Sequence, residues 1–117
     1  MLNQTPMLDQ EPSLDRMFAA LADPSRRAMV DRLSRGPATV KELAEPLTMS
    51  LPGVLQHRQV LQDSGLIASE KVGRVRTCRI EPVALRAAEQ WITDRRLGWQ
   101  QRLDRLDDYL TRGDDLP

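Results

Sequence analysis

Apolar residues take up a helical period at Leu14, where Leu14, Met17, Phe18 and Leu21 fall at i, i+3, i+4 and i+7. Asp23-Pro24 then reads as an N-cap followed by proline at the first helical position. The helix it opens carries Ala28, Met29, Val30 and Leu33 before Gly36-Pro37 stops it. Thr39 and Glu42 have capping-box spacing, and Val40, Leu43, Ala44 and Leu47 give the short helix behind them an apolar face. After a tight connection at Thr48-Met49-Ser50, Ser50 can cap a further helix that tolerates Pro52 in its first turn. That helix is expected to reach about Ser64, with Gly65 suited to the left-handed position beyond it. Ile67 to Val72 and Arg74 to Ile80 flank Gly73 and read as a β-hairpin. Pro82 opens a long helix reaching about Arg112, in which Leu85, Ala88, Trp91, Ile92, Trp99, Leu103, Leu106 and Leu110 recur mostly three or four apart.

The pattern predicts a mainly α fold with a small β-hairpin: a winged helix-turn-helix of five helices and a two-stranded wing. Residues 1–13 are polar, with two prolines and no periodicity, and are expected to be a disordered tail. Residues 14–112 form one domain and 113–117 a C-terminal tail, in keeping with a chain of 117 residues. Two short helices joined by a tight turn and followed by a hairpin suit DNA reading. A helix fits the major groove, and the hairpin tip can reach the backbone or minor groove beside it. On the second helix Val54, Arg58 and Leu61 share one side, while Pro52, Leu55, Gln56 and Gln59 share the side expected to face DNA. Glutamine can pair bidentately with adenine and leucine can pack on a thymine methyl, although the same glutamines also read as a solvated face.

Charge changes this picture by its placement. The chain has 17 basic and 17 acidic side chains and no net charge, which taken alone argues against a nucleic-acid partner. Residues 51–80, however, carry Arg58, Lys71, Arg74, Arg76 and Arg79 against Asp63 and Glu70, a net +3, and the flanking segments are −1 and −2. Lys71, Arg74 and Arg76 around the hairpin tip suit phosphate contact; the alternative is an edge hairpin protected by charge against aggregation. The single cysteine, Cys78, excludes an internal disulfide framework. With no signal-peptide pattern and no membrane-length apolar run, it points to the cytoplasm.

Phe18-Ala19-Ala20-Leu21-Ala22-Asp23-Pro24-Ser25-Arg26-Arg27, Glu42-Leu43-Ala44, Met49-Ser50-Leu51-Pro52-Gly53-Val54, His57, Val60-Leu61 and Ser64-Gly65-Leu66-Ile67 together resemble the ArsR family of bacterial transcriptional regulators. The resemblance spans roughly residues 14–110. It implies a homodimer paired through the first and last helices that represses by binding a near-palindromic double-stranded operator. It places Ser50, Leu51, Pro52, Leu55, Gln56, His57, Arg58 and Gln59 at the DNA with Lys71, Arg74 and Arg76. It places Leu14, Met17, Phe18, Leu21, Trp91, Ile92, Trp99, Leu103, Leu106 and Leu110 at the dimer interface. His57 matches a histidine common in that family, and packs at the edge of the helix or touches DNA.

Two positions depart from the family, which usually has serine where Leu55 stands and leucine where Arg58 stands. Arg58 is expected to snorkel to solvent or phosphate, because burying it unpaired is costly. Altered operator preference is the expected result.

Metal-sensing relatives carry cysteines in the helix before the turn, or acidic and histidine ligands in the last helix. Glu42-Leu43-Ala44-Glu45-Pro46-Leu47 has no cysteine and the last helix no histidine, so no metal or other cofactor is expected. Cys78 reads as a half-buried apolar residue, with redox sensing the alternative that Arg76 and Arg79 keep open. About thirty residues of helix make about 45 Å, too long for a small domain to cover, so dimerisation is favoured over self-packing. Trp91 and Trp99 could also border a small-molecule effector site. With one histidine and one cysteine on separate elements and no phosphate loop, nothing supports an enzyme. The alternative from another class is a winged-helix protein-interaction module that does not bind specific DNA.

Overall fold

The computed structural model describes residues 13–114. The tail expected over 1–13 therefore lies outside the described residues except for Ser13, whose hydroxyl accepts the Arg16 amide at 3.3 Å and caps α1 (Leu14–Leu21). Of the expected C-terminal tail, residues 115–117 lie outside as well.

Each of the first four helices begins on a side chain that accepts one of its unpaired N–H groups. Asp23 accepts the Arg26 amide at 2.9 Å and starts α2 (Pro24–Leu33), with Pro24 where no donor is needed. Thr39 accepts the Glu42 amide at 3.1 Å and Glu42 returns to the Thr39 amide at 2.9 Å, the complete capping box of α3 (Val40–Ala44). Ser50 accepts the Gly53 amide at 3.3 Å at the start of α4 (Leu51–Asp63). The end of α4 is a Schellman motif. Gly65 sits at φ +86°, its amide bonds Gln62 O at 3.0 Å, and the Leu66 amide bonds Leu61 O at 3.2 Å.

Strands β2 (Ile67–Val72) and β3 (Val75–Ile80) form the hairpin, and Val72 opposes Val75 across a two-residue Gly73-Arg74 turn. Gly73 has φ +63° and Arg74 does not turn positive, the sign pattern of a II′ turn. The second strand thus begins at Val75 rather than at Arg74. The sheet also has three strands rather than two. Strand β1 (Ala38–Thr39) pairs antiparallel to β3, with Ala38 opposite Cys78 and Thr39 opposite Thr77, giving the order β1-β3-β2. Two residues after Pro37 offer no alternation to read, so this strand leaves no periodic signal. Helix α5 (Pro82–Asp114) follows.

The chain divides into two compact units at Ala87/Ala88. In the first, Met17, Met29, Leu43, Val54, Leu61, Leu66, Ile67 and Cys78 are fully buried. The larger aliphatic side chains among them each contribute about 1.5–3 kcal/mol relative to exposure. Met17 is 0 % exposed within its own chain, which removes it from the residues available to a dimer partner. Cys78 is likewise completely rather than half buried. Burial pushes its thiol pKa up, against the opposing pull of the nearby Arg58 and Arg76 charges, so the thiolate is disfavoured. In the second unit Trp91, Ile92, Leu97, Trp99, Leu103, Leu106, Tyr109 and Leu110 are all exposed. No helix among the described residues is long and apolar enough to cross a membrane.

Candidate nucleic-acid interface

Helix α4 has two faces. Val54 and Leu61 are completely buried, fixing the roll of the helix, and one turn apart from each lies Arg58 at 8 % exposure. Pro52, Leu55, Gln56 and Gln59 are exposed on the other face, with Leu51 beside them. No charged group lies in this outward set.

The flank nearest α1 and α2 is held by His57. This half-buried ring accepts the Arg26 guanidinium on Nδ1 at 3.1 Å, an assignment fixed by the donor, and its Nε2 lies 3.9 Å from an Asp23 carboxylate oxygen. Arg26 also donates to the Ala20 carbonyl at 2.6 Å and the Ala19 carbonyl at 3.4 Å, while Arg27 donates to the Leu21 carbonyl at 2.7 Å. Two arginines of α2 thereby satisfy the unpaired carbonyls and complement the negative end of α1. The Arg26 backbone amide, foremost, and the Arg26 charge hold the Asp23 carboxyl below its usual range against desolvation. His57 is therefore a joint between helices, not part of the outward face.

Arg58 holds the flank nearest the wing. Its guanidinium does not snorkel. It donates to Gln62 Oε1 at 2.6 Å, Ser69 Oγ at 3.3 Å and Gln59 Oε1 at 3.1 Å, while its Nε is buried without a hydrogen-bond partner. The expectation that Arg58 reaches solvent or phosphate is thus corrected: the three acceptors lie within reach of an inward side chain and draw it under the wing. Ser69 Oγ donates to Gln62 Oε1 at 2.7 Å and accepts Arg76 as well as Arg58, the former at 3.1 Å. Arg76, half-buried, is therefore partly held from beneath. Lys71 stands directly opposite Arg76 in the ladder, and Lys71 and Arg74 are exposed.

Between α3, the start of α4 and the wing lies a cleft of about 680 Å³. Val40, Ala44, Leu51, Leu55 and Val75 line it together with Thr39 and four cations, Lys41, Lys71, Arg74 and Arg76; no carboxylate does. Leu51, Leu55, Lys71, Arg74 and Arg76 are thus brought together as the sequence suggested. Lys41, Val40 and Val75 join them unforeseen; an exposed lysine two residues past the Thr39 cap was the available signal for Lys41. Among the described residues no group of three or more His, Cys, Asp or Glu is placed to hold a metal ion.

In the second unit, Ile92, Trp99, Leu103, Leu106 and Leu110 follow 7-4-3-4 spacing along one stripe. Trp91 precedes Trp99 by eight residues and so lies roughly 80° round the helix from it. The Arg95 guanidinium stacks on the Trp91 ring, 4.5 Å from its centroid.

Helices α3 and α4 joined by a short turn, backed by α2 and flanked by the β2–β3 wing, define a winged helix-turn-helix protein. A family model described as a helix-turn-helix domain matches residues 21–70. The HTH-type transcriptional regulator Rv2034 of Mycobacterium tuberculosis is 44% identical over 75 residues, 64% of this chain and 70% of that protein. A crystal structure of an ArsR family transcriptional regulator superposes with a TM-score of 0.71 at 52% identity, covering 74% of this chain and 96% of that one. The homodimeric winged helix-turn-helix DNA-binding domain Mb0332 of Mycobacterium bovis superposes with a TM-score of 0.58 at 31% identity, covering 80% of this chain and 87% of that one. The chain belongs to the ArsR family of transcriptional regulators.

Proposed function

We propose that the protein is a sequence-specific repressor that binds a near-palindromic double-stranded operator as a homodimer. The observation that carries this reading is the cleft: four cations and no acid on its walls, beside an exposed helix face that bears leucines and glutamines from Leu51 to Gln59, with Asp63 one turn beyond. Lys41, Lys71, Arg74 and Arg76 would take phosphates, while Gln56 and Gln59 would meet base edges and Leu51 and Leu55 thymine methyls. Ser50, already the cap of α4, and Pro52 would stand where the helix end approaches the backbone. His57 and Arg58 act behind this surface. Two such helices, roughly 34 Å apart in a two-fold dimer, would enter successive major grooves and occlude a promoter.

The exposed stripe of Ile92, Trp99, Leu103, Leu106 and Leu110 supports the dimer, as does the homodimeric state of the Mycobacterium bovis relative. Half-buried Leu14, Phe18 and Leu21 of α1 are proposed as further dimer contacts. Leu103→Asp is expected to convert the species seen by analytical ultracentrifugation to monomer; an unchanged dimer would move the interface elsewhere.

The test of DNA binding is selection of duplexes from a random-sequence library, followed by fluorescence anisotropy at two salt concentrations. A selected duplex should bind about 10³-fold or more tighter than random duplex. Arg74→Ala should weaken both alike and flatten the salt slope, and Gln56→Ala should relax choice at one position. Recovery of no preferred sequence would leave the interaction-module reading in its place.

A further inference from the structure

The polar network under the wing has an unusual charge balance. Gln62 Oε1 accepts both the Ser69 hydroxyl and Arg58, and Ser69 Oγ in turn accepts both Arg58 and Arg76. Each acceptor is saturated, so the hydroxyl and amide have one consistent arrangement. The two guanidiniums are placed on a single oxygen, at 3.3 and 3.1 Å, and no carboxylate takes part. The nearest acid in the chain of contacts is Asp63, which is bonded to Gln59 at 2.8 Å rather than to either arginine. Lys71, opposite Arg76 on the neighbouring strand, adds a further like charge.

A cation that is 92 % buried, with its Nε unpartnered and a second cation beside it, is a poor arrangement for stability alone. An apolar side chain in the same row as Val54 and Leu61 would pack there without such a penalty. Arg76, however, also lines the cleft. The network therefore joins a buried charge on the recognition helix to the wall that faces a DNA strand.

We propose that Arg58 is a positioning residue for DNA binding. Through Ser69 it sets Arg76 and the wing against α4, and the missing negative charge is supplied by a backbone phosphate in the cleft. This rests on the DNA-binding reading above. In the free protein the cluster is strained by its own charge, and binding relieves it. Stability and affinity are then opposed at this residue.

The test uses the full chain and the duplex selected by the wild type. Arg58→Met should raise Tm without DNA by a few degrees, yet weaken binding to that duplex about tenfold. Arg76→Ala should weaken the wild type several-fold but have little further effect in Arg58→Met, since the arginine it removes is no longer held in place. Ser69→Ala, which changes little volume, should leave Tm nearly unaltered and weaken binding several-fold. A fall in both Tm and affinity for Arg58→Met, with full additivity to Arg76→Ala, would show Arg58 to be merely structural. Unchanged affinity for Arg58→Met and Ser69→Ala would also overturn the proposal while leaving DNA binding intact. Failure of the wild type to prefer any duplex would overturn both.

Discussion

The two flanks of the buried side of α4 are both held by an arginine, and the two holdings differ in charge. At the α1–α2 corner Arg26 meets backbone carbonyls and His57, and the Asp23 carboxylate closes the cluster. Under the wing Arg58 meets only neutral side-chain oxygens, has a second arginine for a neighbour and leaves one nitrogen unpaired. The first arrangement is complete in the isolated chain. The second is complete only with an anion from outside. The lesson is that hydrogen bonds alone do not tell a structural cluster from a functional one; the sum of charge does.

Three measurements test this contrast. The largest effect is expected from Arg26→Ala, which leaves the Ala20 carbonyl at the end of α1 and the His57 ring without this donor. Urea denaturation should show a loss of about 2 kcal/mol. A loss no larger than that of an exposed arginine would mean that water replaces the guanidinium and the corner is no anchor.

A smaller effect is expected with acid. Asp23 and Glu42 are held below their ordinary 3.8 and 4.5, Asp23 foremost by the Arg26 amide and Glu42 foremost by the Thr39 amide. Both groups favour the fold fully above those ordinary values, and the contribution fades as pH falls through the lower folded values. The urea midpoint should therefore drop below about pH 4, and Asp23→Ala should make that drop shallower. An equal slope in the variant would remove Asp23 from the balanced cluster.

The smallest is a coupling. Arg26 and Arg58 share no hydrogen-bond partner, so Arg26→Ala and Arg58→Met should add within about 0.5 kcal/mol. A larger coupling would make the two clusters one network running through α4.

Caps and periods made most of the fold legible. Asp23, Thr39, Ser50 and Gly65 each mark a boundary by a local interaction that the residue itself performs, and each stands where the sequence placed it. Strand β1 was not legible, because its pairing with β3 is made by residues some forty positions away and needs no pattern of its own. The outward face of α4 followed from helical period alone. Arg58 was misread because the choice between snorkelling and burial depends on acceptors from β2, which period cannot show. Met17 illustrates the same limit: a helix stripe says which residues leave water, and not whether their own chain or a partner removes it.

The Schellman end of α4 leaves three residues, Ser64 to Leu66, between the recognition helix and the wing, and two backbone bonds lock them. A connection so short and so fixed works as a gauge. Under the DNA-binding reading, the step along the duplex from the bases touched by Gln56 to the phosphates under Arg74 is set by this junction and not by either contact. New operators are then reached by exchanging side chains on α4, whereas a single residue inserted at Gly65 would shift the whole footprint.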